Sequence, residues 1–468
     1  MIDPRLPDAS GIPKEHDSAG RRVARLHEPL PGIGGVAVQV DPDVPLQVGI
    51  DSRTQFCLRV APGLDLQPLR YTACVGRDLK AVHQEMGHQL HSHKRVLPNL
   101  NILRLPFWKF LAKVDSGAKV ERELRTFSNR LRRHQLGEGD HEFVSGRRRT
   151  SKRQTKALPL VKLLNTSITL SPYLSIDSRQ FQMSLQDGTE AYWLSVPTAP
   201  HGRLVPVLMQ WKGNFCVKLN ITNPAAVNWF LDKVGGLQAH LEMEYVTLEG
   251  GEGNPFEEQA LRLPRAVAGD RYIGLLAGFQ RCSPIHSHDP ITLLGYSFFI
   301  PDAVGGSLTN EFVTDEELFI RWLEIVSFLP VITFQTPPWV CGEDRVLNLT
   351  RFYISKHQEF VVPLIVKYAS EWLADGSPIY RPLWWISPDD PITYTIDDEF
   401  LIGDEVLVAP VTEQGAVQRD IYLPGSDFQW QDTSNAQVFD GGTLLENYPV
   451  GLEEVAVFTR RNSGSLVG

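Results

Sequence analysis

Apolar positions in the second half of the chain recur with two different periods. Val227, Phe230, Leu231, Val234 and Leu237 stand at helical spacing, which predicts a helix over 225–240. Asn223 ahead of Pro224 marks its start, because proline is pre-set for the first helical position. A second amphipathic helix is predicted over 315–328, with Asp315, Glu316 and Glu317 in the first turn, where the helix dipole favours acids. A long helix is predicted over 347–373. Strands are predicted at 167–176, 203–211, 245–248, 291–300 and 331–334, interleaved with these helices. Strand–helix–strand alternation argues for βαβ units and a parallel sheet. Beyond Trp384 and Trp385 the period drops to two. Residues 400–410, 420–424, 428–431 and 455–458 alternate like antiparallel strands and predict a β-rich C-terminal domain.

The stretch with chemical interest is 243–252. The β-formers Tyr245, Val246, Thr247 and Leu248 run into Glu249, a Gly-Gly pair and Glu252. A short strand that stops at a carboxylate, with glycines behind it, is how a parallel barrel presents a catalytic acid at its C-terminal mouth. A buried strand that ends in a solvated acidic turn has the same pattern, and the decapeptide alone does not separate the two. The 291–300 strand repeats the device, ending at Pro301-Asp302 with Gly305-Gly306 behind.

The first 157 residues are less ordered in pattern. Residues 1–60 read as loops and short strands, and 76–116 show no clear period. His83, His88, His91 and His93 lack metal-ligand spacing and read as a solvated basic segment. Residues 118–156 are densely basic, with Arg147, Arg148, Arg149, Lys152, Arg153 and Lys156 near the end. A nuclear-localisation or phosphate-binding patch is one reading; a disordered linker is the reading favoured by charge. Composition shifts sharply after it, which places a boundary near residue 157.

Composition narrows the function. A net charge of −9 over 468 residues argues against nucleic acid as the main partner. Five scattered cysteines without a CxxC pair indicate neither a disulfide framework nor a zinc site. No signal peptide and no long uninterrupted apolar stretch is visible. The longest apolar run, 318–334, carries Arg321 and Glu324 and reads as a core helix followed by a strand.

Several blocks in order resemble glycoside hydrolase family 31, in its myogenesis-regulating glycosidase branch. They are Trp211-Lys-Gly213, Thr222-Asn-Pro-Ala-Ala-Val-Asn-Trp-Phe230 and Leu294-Gly-Tyr-Ser-Phe-Phe-Ile-Pro-Asp-Ala-Val-Gly-Gly306. They continue with Glu317-Leu-Phe-Ile-Arg-Trp322, Phe328-Leu-Pro330, Pro337-Pro-Trp339, Arg381-Pro-Leu-Trp-Trp385 and 400–411. The resemblance covers roughly 160–460. It implies an α/β fold, a (β/α)8 TIM barrel over 158–383 and an all-β sandwich domain over 384–468. Residues 1–157 are expected to be a poorly ordered or degenerate region with a remnant β-sandwich and a basic linker.

The implied activity is retaining hydrolysis of α-glycosides of the α-glucosidase or α-galactosidase type, with no metal and no organic cofactor. One carboxylate attacks the anomeric carbon while a second protonates the leaving oxygen. Carried over residue by residue, Glu249 stands at the nucleophile position, where the family has Asp. Asp270 is the default acid/base, because the family's Trp-x-x-Asp segment has no clear counterpart and 253–290 is shorter than a complete barrel needs. Trp211, Glu252, Asp302 and Trp339 match substrate-binding positions. The expected partner is an α-glycoside or oligosaccharide, without nucleic acid and without a membrane segment in this chain. The resemblance implies the secretory pathway, but the chain shows no anchor for it. The two departures leave a second expectation: a pseudo-glycosidase that binds carbohydrate or a protein partner. An incomplete gene product is a third.

Overall fold

Period-two alternation in the C-terminal region becomes a sheet with two working faces. In this computed structural model six strands pair in the order Tyr380–Arg381, Phe400–Ile402, Val406–Ala409, Ala456–Asn462, Phe428–Asp432 and Val438–Asp440, all antiparallel. Successive side chains point to opposite faces. Phe400, Ile402, Val406, Val408 and Val457 therefore join one core, with helical residues such as Phe319, Leu323, Ile365 and Trp372. Leu401, Leu407, Ala409 and Phe458 join another, with Ile421, Leu423 and Trp430 beneath the Gln418–Leu423 and Thr443–Pro449 pair. The buried-on-both-sides strands Phe400–Ile402 and Val406–Ala409 lack any polar face for that reason.

The structure describes residues 14–16, 22–26, 35–41, 46–50, 56–60, 69–90, 97–109, 117–136, 168–186, 190–198, 203–211, 214–221, 223–241, 246–248, 297–306, 315–341 and 344–462. They fall into two units. One comprises Met1–His93, Ser171–Phe230 and Glu249–Ala277; the other comprises Lys94–Leu170, Leu231–Leu248 and Gly278–Gly468.

In the first unit, four antiparallel strands pair in the order Lys14–His16, Arg22–Leu26, Phe56–Val60 and Leu46–Ile50. Gly35–Val40 pairs with Tyr71–Gly76, and Asp78 caps the helix Leu79–Leu90 by accepting from Ala81 N at 2.6 Å. A third sheet holds Met209–Trp211, Asn214–Lys218 and Tyr173–Ser175, and its Val217 shares a core with Trp193 and Phe181. The expected strand 203–211 is thus two strands in different sheets, broken at Val207-Leu208. The predicted helix runs Pro224–Leu241, and Asn223 Oδ1 accepts from Ala225 N at 3.0 Å as its cap.

In the second unit the helix Glu316–Val326 starts at Asp315, whose carboxylate accepts from Leu318 N. The long helix is Asp344–Lys356, one π-helical turn His357–Val361, and Val362–Asp375, closed by Gly376 in the left-handed region. Buried His357 at the π turn sits between the carbonyls of Ser327 (2.8 Å) and Leu103 (2.6 Å), and burial lowers its pKa. Residues 117–133, expected as part of a linker, form a helix instead. Its end is a Schellman turn: Gln135 is left-handed (φ 56°) and Leu136 N donates to Leu131 O at 2.9 Å. Residues 297–300, expected as the end of a buried strand, carry no strand; 291–296 lie outside the described residues. Parallel pairing appears between Ile168–Leu170 and Val246–Leu248, and between Phe107–Trp108 and Thr333–Phe334.

Candidate functional site around Asp302

Three chain segments run side by side and parallel in the second unit. Phe107–Trp108 pairs with Thr333–Phe334, and Val304 bridges Phe334. Val304 N donates to Thr333 O at 2.7 Å, Gln335 N donates to Val304 O at 2.8 Å, and Lys109 N donates to Phe334 O at 2.8 Å. Each segment then runs past its last pair, so Lys109, Gln335 and Gly305 lie at the same, C-terminal end. In parallel sheets that end is where ligand-handling groups collect.

The Asp302 loop is held at both sides. Its backbone carbonyl accepts from Trp322 Nε1 of the Glu316–Val326 helix at 2.9 Å. Behind it, Thr336 Oγ1 donates to Gly305 O at 2.8 Å. Gly305 has φ +92°, and a Cβ there would lie 2.5 Å from Thr336 Cβ, so only glycine fits this turn. The Asp302 carboxyl is pushed above the ordinary carboxylate range by partial burial, while the Lys109 charge pulls it back. The residue as a whole is exposed, so water tempers that push.

Lys109 and Gln335 carry no signal in the sequence reading, because a two-residue strand and a non-local bridge bring them here. Gln335 Nε2 and Thr333 Oγ1 are buried with no hydrogen-bond partner among the described residues. Unmet buried polar atoms on the strand that bridges the Asp302 loop are a place where a polar ligand or water can bind.

Trp339, half-buried in Pro338–Cys341, is a member of an aromatic run. Trp108 stacks on Phe334 (4.3 Å between centroids, 11° between planes) and lies 6.5 Å from Trp339. His134 stacks on Trp339 at 5.2 Å and Phe127 meets it at 5.7 Å. Trp211 ends a strand and pairs with Asn214; its side chain lies outside the described residues, as do Glu249, Glu252 and Asp270. No group of three or more His, Cys, Asp or Glu side chains with metal-binding geometry occurs among the described residues.

Residues 376–463 match the glycosyl hydrolase family 31 C-terminal domain, which coincides with the six-stranded sheet and its partner. Over 474 aligned positions the chain is 48% identical to the SITS-binding protein of Tetronarce californica, covering 92% of this chain and 68% of that one. The chain belongs to glycoside hydrolase family 31. The family's myogenesis-regulating glycosidase of Mus musculus is 27% identical, covering 90% of this chain and 67% of its own length. A family 31 sulfoquinovosidase from E. rectale superposes with a TM-score of 0.69 at 17% identity over 92% of this chain and 72% of that chain. An uncharacterized Listeria monocytogenes protein gives 0.69 at 18% identity, and there the chain spans only 47% of the other's length. The fold is that of these structures.

Proposed function

We propose that this family 31 chain handles α-glycosides in a (β/α)8 barrel, as a retaining glycosidase of the α-glucosidase or α-galactosidase type. The observation that carries the reading is the Asp302 loop. A partly desolvated carboxylate, within reach of the Lys109 charge, lies on a loop at the C-terminal end of parallel strands in a chain with this family's C-terminal domain. Hydroxyl-rich ligands need acceptors and donors of this kind in one place. In the proposed chemistry Glu249 is the nucleophile and Asp270 the acid/base. Trp211, Glu252, Asp302 and Trp339 hold the sugar. The transition state is oxocarbenium-like, so carboxylates near the ring also stabilise charge.

The pseudo-glycosidase reading has its own support: Glu249 is one methylene longer than the family's Asp, and a misplacement of about 1 Å can cost about 100-fold in rate. The test is turnover of aryl α-glucosides and α-galactosides by the full chain, with Glu249→Gln beside it. Activated leaving groups need little protonation, so turnover lost in Glu249→Gln supports catalysis. No turnover with calorimetric binding of a monosaccharide selects the pseudo-glycosidase. Neither turnover nor binding overturns both.

A further inference from the structure

The Gly117–Arg133 helix carries Lys119, Arg122, Arg125, Arg130, Arg132 and Arg133 against only Glu121 and Glu123, in a chain of net charge −9. We propose that its outer face is a docking surface for an anionic polysaccharide, sulfated or carboxylated. At about 100° per residue, Arg122, Arg125, Arg132 and Arg133 fall within an arc of about 100°, and Arg130 lies about 60° beyond it, toward the packed side. All five are exposed, as are Thr126 and Asn129 between them. The opposite side is spoken for: Phe127 packs on Trp339, and Leu131 lies on the same side as Phe127. The arginines from 122 to 133 span about 16 Å along the axis, at about 1.5 Å per residue.

The helix is also held rigidly. The Schellman turn closes its end, His134 stacks on Trp339, and Arg351 Nε donates to His134 O at 2.8 Å. The backbone that spaces the arginines is therefore ordered before binding, and only their side chains lose freedom. Interaction with the helix dipole favours Arg130, Arg132 and Arg133 in the last turn, but that effect fades within a turn and does not reach Arg122.

The choice of arginine selects the ligand's chemistry. Five of the six cations are guanidinium groups, which grip sulfate and carboxylate oxygens in pairs. An acidic membrane is disfavoured because the helix's apolar stripe faces Trp339 and is not available for insertion. A nucleic acid is disfavoured because the rest of the chain carries the negative balance and repels a long, wide polyanion. A single glycan strand fits the row and meets little of that field. The inference does not require turnover.

The test is binding of the full chain to immobilised heparin, with desulfated heparin, neutral dextran, phosphatidylserine vesicles and single-stranded RNA as comparisons. The variant is Arg122→Gln/Arg125→Gln/Arg133→Gln. A charge-matched control, Arg77→Gln/Lys233→Gln/Arg461→Gln, removes three exposed cations elsewhere. The expected result is salt-sensitive retention on heparin but not on dextran, and at least 10-fold weaker binding in the helix variant with unchanged circular dichroism. The control variant should bind as the parent does. Equal loss in both variants, no retention above dextran, or tighter binding to vesicles or RNA than to heparin overturns the proposal.

Discussion

Replacing Arg321 by methionine should cost about 3–5 kcal/mol, because the side chain ties the Glu316–Val326 helix to two distant loops from a buried position. Its Nη1 donates to Gly451 O at 2.9 Å and its Nη2 to Ala416 O at 2.7 Å. Nη1 also lies 3.4 Å from Glu324 Oε2, while Tyr353 OH is 3.5 Å from the other Glu324 oxygen and donates to Glu453 O at 2.9 Å. Each charge-assisted bond to a carbonyl contributes about 1.5–3 kcal/mol, so two give roughly 3–6. The loop carbonyls are only part-buried and recover some water, which trims the upper end. Methionine keeps the stem's volume, so a cavity adds little. The measurement is hydrogen exchange of the amides of 316–326 and 451–454 together with the urea midpoint of the corresponding transition. Adding Glu324→Leu removes the carboxyl group left without its cation as well, and the double variant should regain at least about 1 kcal/mol over Arg321→Met. A single-variant loss below about 1 kcal/mol, or a double variant worse than the sum of the singles, refutes the assignment.

Burial pushes Glu324 up to about 8 despite Arg321, and Glu399 up to about 8 despite Arg419. A folded value above the unfolded one contributes stability at acidic pH that is lost as pH rises toward 8. Urea midpoints should therefore fall between pH 5 and pH 8, and Glu324→Gln should flatten part of that slope; a parallel profile in the variant counts against it. Gly305→Ala should destabilise by more than the roughly 1–2 kcal/mol of left-handed strain alone, because its Cβ meets Thr336. Gly306→Ala, also at positive φ but with open space among the described residues, should cost that strain only, and equal losses in the two midpoints would contradict the packing argument.

Much of the helix and strand pattern after residue 220 is legible in the sequence, for local reasons. Asn223 before Pro224 and Asp315 before two glutamates are start signals that the backbone uses. Alternation over 400–410 fixes which residue enters which core. The Gly117–Arg133 helix shows the opposite case. Its arginines weigh toward a linker, whereas Val120, Leu124, Phe127 and Leu131 stand at helical spacing. The strand expected at 291–300 fails at its described end, where 297–300 are held by the surrounding core and not by a ladder. The candidate site is legible only at Asp302, with its Gly-Gly turn. Lys109 reaches it through a pairing that spans more than two hundred residues and Gln335 through a bridge to Val304, and no local pattern encodes either.

The sheet that begins at Tyr380 serves two masters, and this constrains how the gene can be cut. A fragment ending at 383 strips the covering from Phe319, Leu323 and Trp372. A fragment starting there carries Phe400, Ile402, Val406 and Val408 bare to water. Neither half is a transplantable part, so insertions and fusion joints belong in the exposed turns and not at the family-domain border.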